Sequence, residues 1–128
     1  PRDGYWSNVW NNDAKGWAAC YWGGRPTEDW MFKAAYTNDT KWNDTAWKGT
    51  HSSMVFNALV KQAQAELDTT KRRALYYECQ DLISDDGGSI IPMFNSYVSA
   101  NSKAIAHNEI AANWDSDGAK CVERWWFA

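Results

Sequence analysis

The chain is poor in the residues that mark most small catalytic or metal-binding domains. It has three cysteines, Cys20, Cys79 and Cys121, far apart and with no C-x-x-C pair. That spacing excludes zinc ribbons and dithiol redox motifs and allows at most one disulfide. Buried thiols acting as small hydrophobes are the simpler reading. The two histidines, His51 and His107, stand apart from each other and from any cysteine pair. No G-x-S-x-G elbow and no G-x-x-x-x-G-K-[ST] loop occurs, which removes the usual signals of a serine hydrolase and of a phosphate-cradling loop. "H-N-E" at 107–109 lacks the P-C-x-x-C half of a zinc deaminase. "D-S-D-G" at 115–118 would put Trp126 where a calcium loop needs its glutamate. The expectation is a protein with no metal, no cofactor and no enzymatic activity.

Positive charge is also scarce. Thirteen basic residues face sixteen acidic ones, for a net charge of -3, and Lys71-Arg72-Arg73 is the only basic run. A nucleic-acid binder would normally carry a basic patch, so none is expected as a partner. No apolar stretch approaches the roughly 18 residues of a membrane span. The chain opens on Pro-Arg-Asp-Gly, with no charged-then-apolar leader. It is read as a piece of a longer protein, so the missing leader says nothing about compartment.

What the chain does have is tryptophan, ten of them, within a 45% hydrophobic and 23% charged composition. That balance is globular and suits one core. Tyr5, Trp6, Val9 and Trp10 recur at helical spacing, predicting the end of an amphipathic helix that stops near Asn11-Asn12-Asp13. Trp17 to Trp22 is short, apolar and partly aromatic, and ends at Gly23-Gly24, which predicts a buried strand running into a turn. Residues 25–50 read as an irregular aromatic excursion with a short helix near 28–36. Its triplets Asn38-Asp39-Thr40 and Asn43-Asp44-Thr45 match glycosylation sequons, a pattern with meaning only in a eukaryotic secretory setting.

The strongest local pattern follows. Ser52 or Ser53 can cap a helix whose apolar face is Phe56, Leu59, Val60, Ala63 and Leu67. Asp68 stops it and caps a second helix, which lines up Arg72, Leu75, Tyr76, Cys79, Leu82 and Ile83. Gly87-Gly88 ends that helix with a left-handed residue. Ser89 to Phe94 then predicts a strand, with Pro92 at a sheet edge or where the chain leaves the sheet. Asn95 to Ser99 continue extended, with Tyr97 and Val98 packing.

Read together, these pieces resemble a known family. "W-N-x-T-x-W" at Trp42–Trp47, "A-x-A-E-L-D" at Ala63–Asp68, "K-R-x-x-L-Y-x-E-x-Q-x-L-I" at Lys71–Ile83 and "G-G-x-I-I-P-M-F" at Gly87–Phe94 are similar to the C-terminal part of family 5 extracellular solute-binding proteins. These are the receptors of peptide, nickel and oligosaccharide ABC importers. The closing "A-A-N-W-D-x-D-G" and "E-R-W-W-F-A" are similar to the tail of one peptide-receptor subgroup. The order and spacing of the pieces carry the resemblance, most firmly over residues 42–98.

The resemblance implies an α/β fold: part of the C-terminal lobe of a two-lobed, type II periplasmic-binding-protein-like receptor. Residues 1–94 would belong to that lobe, and the helix pair would be its scaffold. The strand after the pair would lead into the hinge, and residues 95–128 would return to the first lobe. Trp114, Trp125, Trp126 and Phe127 would pack there, or drive self-association where that lobe is missing. The implied function is non-enzymatic capture of a small, peptide-like solute. The implied partners are the remaining lobe and an ABC permease, and the implied location is the periplasm or another extracytoplasmic, membrane-associated site.

Candidate ligand-binding residues are Tyr21, Trp22, Gly23, Gly24 and Arg25. Tyr21 and Trp22 are either pocket walls or core. In peptide-binding relatives an aspartate after the matching tryptophan pairs with the ligand's amino terminus; this chain has Gly23-Gly24-Arg25-Pro26 there and no carboxylate before Glu28 and Asp29. Arg25 suits a ligand carboxylate or phosphate, or pairs with Glu28 or Asp29 on the surface. The alternative from another class is a tryptophan-rich carbohydrate-binding module, which would be all-β.

Overall fold

A computed structural model describes residues 3–12, 14, 16–45 and 47–128. The chain is a small mixed helical protein, compatible with an α/β class, with one two-stranded antiparallel sheet among the described residues. It divides into two compact units: residues 1–22 with 27–90, and residues 23–26 with 91–128.

The first unit is built on a helix pair. The chain turns at Gly49, whose φ of +80° is left-handed, and Thr50 then caps α3 (His51–Ala65) by accepting from the Ser53 amide at 3.2 Å. The cap therefore lies before Ser52 and Ser53, the residues expected to supply it. Ser53 is instead fully buried inside the first turn, where its hydroxyl donates to the Thr50 carbonyl.

α3 unwinds at Glu66, which is already extended. Leu67 is consequently not on the α3 face, as its spacing suggested, but 92% exposed in the connection. Asp68 caps α4 (Thr69–Asp86), accepting from the amides of Thr70 at 2.9 Å and Lys71 at 3.0 Å. These bonds satisfy donors that the first turn of a helix cannot pair internally. Arg72 fastens the junction from the other side through the Glu66 carbonyl. Gly87 closes α4, and Gly88 takes the left-handed conformation expected after a helix end.

Phe56, Val60 and Ala63 on α3 meet Tyr76, Cys79 and Ile83 on α4, all buried, with Leu59, Leu75 and Leu82 at the margin. α2 (Glu28–Ala35), capped by Thr27, adds Phe32 and Ala35. Phe56 sits in an aromatic nest, with ring centroids at 5.6 Å from Phe32, 5.2 Å from Trp47 and 6.5 Å from Tyr36. Edge-to-face and tilted contacts of this kind add to the gain from burying the rings. Asn43 locks the loop above: its amide donates to the carbonyls of Tyr36 and Thr37, and its oxygen accepts from Thr45. The second sequon is thus folded into the interior, whereas Asn38 is exposed.

Three expected elements differ. The opening helix is a single turn, α1 (Tyr5–Asn8), and the chain leaves it through Asn11 with φ +54°; Asp13 lies outside the described residues. Residues 17–22 are neither a strand nor buried, with Trp17 83% exposed. Residues 89–94 form no strand either, with Ile90 92% and Phe94 93% exposed, and Val98 beyond them is exposed rather than packed. The physical reason is common to both segments. A strand needs a neighbour for its backbone groups, and the sole sheet among the described residues lies elsewhere.

That sheet belongs to the second unit. β1 (Ile105–His107) pairs antiparallel with β2 (Trp125–Phe127) in the register Ile105–Phe127 and His107–Trp125. Between them lie α5 (Asp115–Ala119) and α6 (Cys121–Arg124). α5 is wound left-handed: Ser116, Asp117, Gly118 and Ala119 all have positive φ. Such winding costs roughly 1–2 kcal/mol per non-glycine residue, so it needs an anchor.

The anchor is the buried Asp117 carboxylate. It accepts from the Ala111 amide at 2.7 Å and the Trp125 indole at 3.0 Å, and pairs with Arg124 at 3.0 Å. The His107 ring lies over Trp125 with centroids 5.0 Å apart. Trp125 therefore packs within its own unit, and Trp114 lies beneath the Arg25 guanidinium. Both are partly buried, whereas Trp126 is 48% exposed. Phe127 remains exposed.

Candidate functional site

The five predicted site residues are divided between the two units. Tyr21 and Trp22 belong to the first unit, and Gly23, Gly24 and Arg25 to the second.

In the first unit the sequence builds an aromatic ladder around one carboxylate. The single turn of α1 puts Trp6 and Trp10 on one side, with ring centroids 5.6 Å apart. Segment 17–22 lays Tyr21 against Trp6 at 5.6 Å and Trp22 against Trp10 at 6.1 Å. Tyr5 touches Trp6 and donates its hydroxyl to the Ala19 carbonyl. Asp44 lies at the centre. Its two oxygens accept from the indoles of Trp10 at 2.8 Å and Trp22 at 3.0 Å, while its amide donates to the Ala35 carbonyl at 2.8 Å. One residue thus ties the turn after α1, segment 17–22 and the end of α2 together.

The Cys20 sulfur completes this cluster, 3.5 Å from the nearer Asp44 oxygen. Partial burial of the sulfur and the Asp44 charge push the thiol up to about 11. A thiol so raised stays protonated near neutral pH and is a poor nucleophile. The residue itself is exposed, not buried as the composition suggested, whereas Cys79 is buried, and all three cysteines are free. Burial pushes the Cys79 thiol up to about 12, as expected for a structural residue.

Tyr21 is largely exposed, and Trp22 is half-buried against the core. Of the two readings left open for Trp22, the core has the stronger claim, while Tyr21 keeps the exposure a ligand wall needs. In the second unit Arg25 donates to the carbonyls of Gly23 at 2.8 Å and Gly24 at 3.2 Å. Its guanidinium lies 5.8 Å from the centre of the Trp114 ring, a cation–π contact. A methyl group at Gly24 would come within 2.9 Å of the Tyr97 hydroxyl, so a small residue suits that turn.

Asp44 and Asp117 are the two polar centres that the sequence did not disclose. Asp44 stood only as the middle of a sequon, and nothing periodic links it to Trp10 or Trp22. Asp117 stood inside an apparent calcium-loop fragment. Its carboxyl is held below the ordinary range chiefly by the Ala111 amide, with Trp125, Arg124 and His107 adding to the effect against partial desolvation. No cluster of metal-ligating side chains occurs among the described residues. No helix among them is long and apolar enough to cross a membrane.

Compared with models of protein families, with characterised proteins and with solved structures, the chain matches none.

Proposed function

We propose that the chain is part of the C-terminal lobe of a family 5 solute-binding protein with the two-lobed, type II fold, and that it captures a small peptide-like solute for an ABC permease. In this reading it acts in the periplasm or at an extracytoplasmic membrane face, and it binds without doing chemistry. The observation that carries the proposal is a well-closed helix pair in a chain that also holds two apolar segments, 17–22 and 89–94, with no ladder neighbour among the described residues. In α/β lobes helices cover a sheet whose buried strands read as short apolar runs. The missing neighbours would come from the remainder of the receptor.

Tyr21 then stands as an aromatic wall, and Asp44, beside Trp22, supplies a carboxylate close to where the segment after Trp22 lacks one. Arg25 would meet an anionic group of the ligand. The helical content of the first unit speaks against an all-β carbohydrate module. Calorimetry on the natural protein that contains this sequence, titrated with di- to hexapeptides, tests the reading. Saturable binding is expected, weakened at least about tenfold by Arg25→Ala and unchanged by Lys71→Ala. Absence of peptide binding would overturn the function, and equal affinities of the two variants would remove Arg25 from the site.

A further inference from the structure

The outer face of α2 carries two adjoining open depressions, and Thr27 and Asp29 line both. One, of about 510 Å3, is walled by Trp30, Lys33, Thr40 and Trp42. The other, of about 450 Å3, is walled by Glu28, Gln64, Arg72 and Tyr76. All of these residues belong to the first unit, and none is among the five predicted from sequence.

Three properties decide what such a face can hold. Its charges balance, Glu28 and Asp29 against Lys33 and Arg72, so it has no preference for an ionic ligand. Its indoles are half exposed, Trp30 at 52% and Trp42 at 48%, and offer apolar surface to a ring. Lys41 lies over the Trp42 ring at 4.8 Å, which fixes that indole beside the depression. Finally, the face is shallow. A compact apolar ligand binds where most of its surface is enclosed, and nothing encloses one here.

A ligand that stacks through one side and keeps its other side hydrated meets all three conditions. The polar groups between the indoles and α4 are also held in place. Gln64 donates to Asp29 at 2.7 Å, and the Tyr76 phenol is kept protonated, its pKa pushed up to about 12 by burial and then by Asp29.

We propose that this face of α2 binds a short neutral oligosaccharide, one pyranose ring against Trp30 and Trp42 and the next over Asp29 and Gln64. Apolar ring faces meet the indoles, and ring hydroxyls meet the carboxylate and amide, which the Tyr76 phenol backs from below. The site stands independently of the receptor reading, because it uses neither the bare segments nor Tyr21 to Arg25.

The test is an NMR titration of the 128-residue chain with cellohexaose, chitohexaose, xylohexaose and mannohexaose, with hexaglycine amide as a peptide comparator. Indole N–H signals are assigned by single tryptophan substitutions. At least one glycan should saturate and move the Trp30 and Trp42 signals while Trp17 and Trp126 stay in place. Trp42→Ala should weaken that binding about tenfold or more, and Trp17→Ala should leave it unchanged. The parent protein's own signals keep the proposal falsifiable if Trp42→Ala fails to fold. Lack of saturation by all four glycans at millimolar concentration overturns it. So does saturation by the peptide comparator alone, or a glycan response confined to other tryptophans.

Discussion

Residues 51–86 and residues 89–98 are both rich in large apolar side chains, yet one region is closed and the other is bare. In α3 and α4 the apolar residues recur every three or four positions, so each helix satisfies its own backbone and turns one face to its neighbour. Phe56, Val60, Tyr76, Cys79 and Ile83 disappear from solvent on that account. Residues 89–98 lie in no helix or strand, so their amides and carbonyls must borrow partners from elsewhere. No strand pairs with them among the described residues, and Ile90, Phe94 and Val98 stay in water. Local periodicity closes a core within one segment, while an apolar run without it depends on what lies beside it.

The contrast is broken most forcefully at Phe56. Phe56→Ala empties the centre of the aromatic nest and should cost about 3–5 kcal/mol, the usual range for a buried phenylalanine; urea unfolding followed by circular dichroism at 222 nm measures it. Asp44→Ala should follow, at about 1–3 kcal/mol, because two indole donors lose their shared acceptor. The same variant should lower the Cys20 pKa from about 11 without restoring the ordinary thiol value, because burial, the larger cause, remains; thiol reactivity against pH reads it.

Asp68→Ala removes the α4 cap and should cost about 1 kcal/mol, seen as a lower urea midpoint with unchanged slope. In the second unit the effect is confined to acid. The folded Asp117 carboxyl titrates below its ordinary value of 3.8, so its contribution is fully present above that value and is lost as pH falls through the lower, folded one. Trp125 fluorescence should therefore change below pH 3.8 in the parent protein, and Asp117→Asn should remove that transition. Phe94→Ala, at a side chain 93% exposed, should stay within about 0.5 kcal/mol of the parent. A large loss there would show that the bare segment is packed after all.

These differences also explain what the sequence disclosed. The helix pair, the Asp68 cap and the Gly87-Gly88 ending rest on contacts within a few residues, and spacing alone shows them. The cap of α3 was displaced to Thr50 because Gly49 reverses the chain one turn earlier, and Leu67 was misplaced because Glu66 unwinds the helix before it. The strands read at 17–22 and 89–94 are not formed, since an apolar run becomes a strand only with a neighbour to pair with, and pairing leaves no mark on the run itself. The Asp44 and Asp117 centres were not legible at all. They join residues far apart in the chain through single side-chain bonds, and such bonds leave no periodic trace.

Native-state hydrogen exchange on the isolated chain tests the central claim, that one closed helix pair accompanies strand segments without partners, most directly. The amides of α3 and α4 should exchange together and slowly, near the rate set by global unfolding. Those of 17–22 and 89–98 should exchange at rates close to an unfolded peptide, at every protein concentration. Protection of either segment equal to that of α3 and α4 in the monomeric chain would contradict the account.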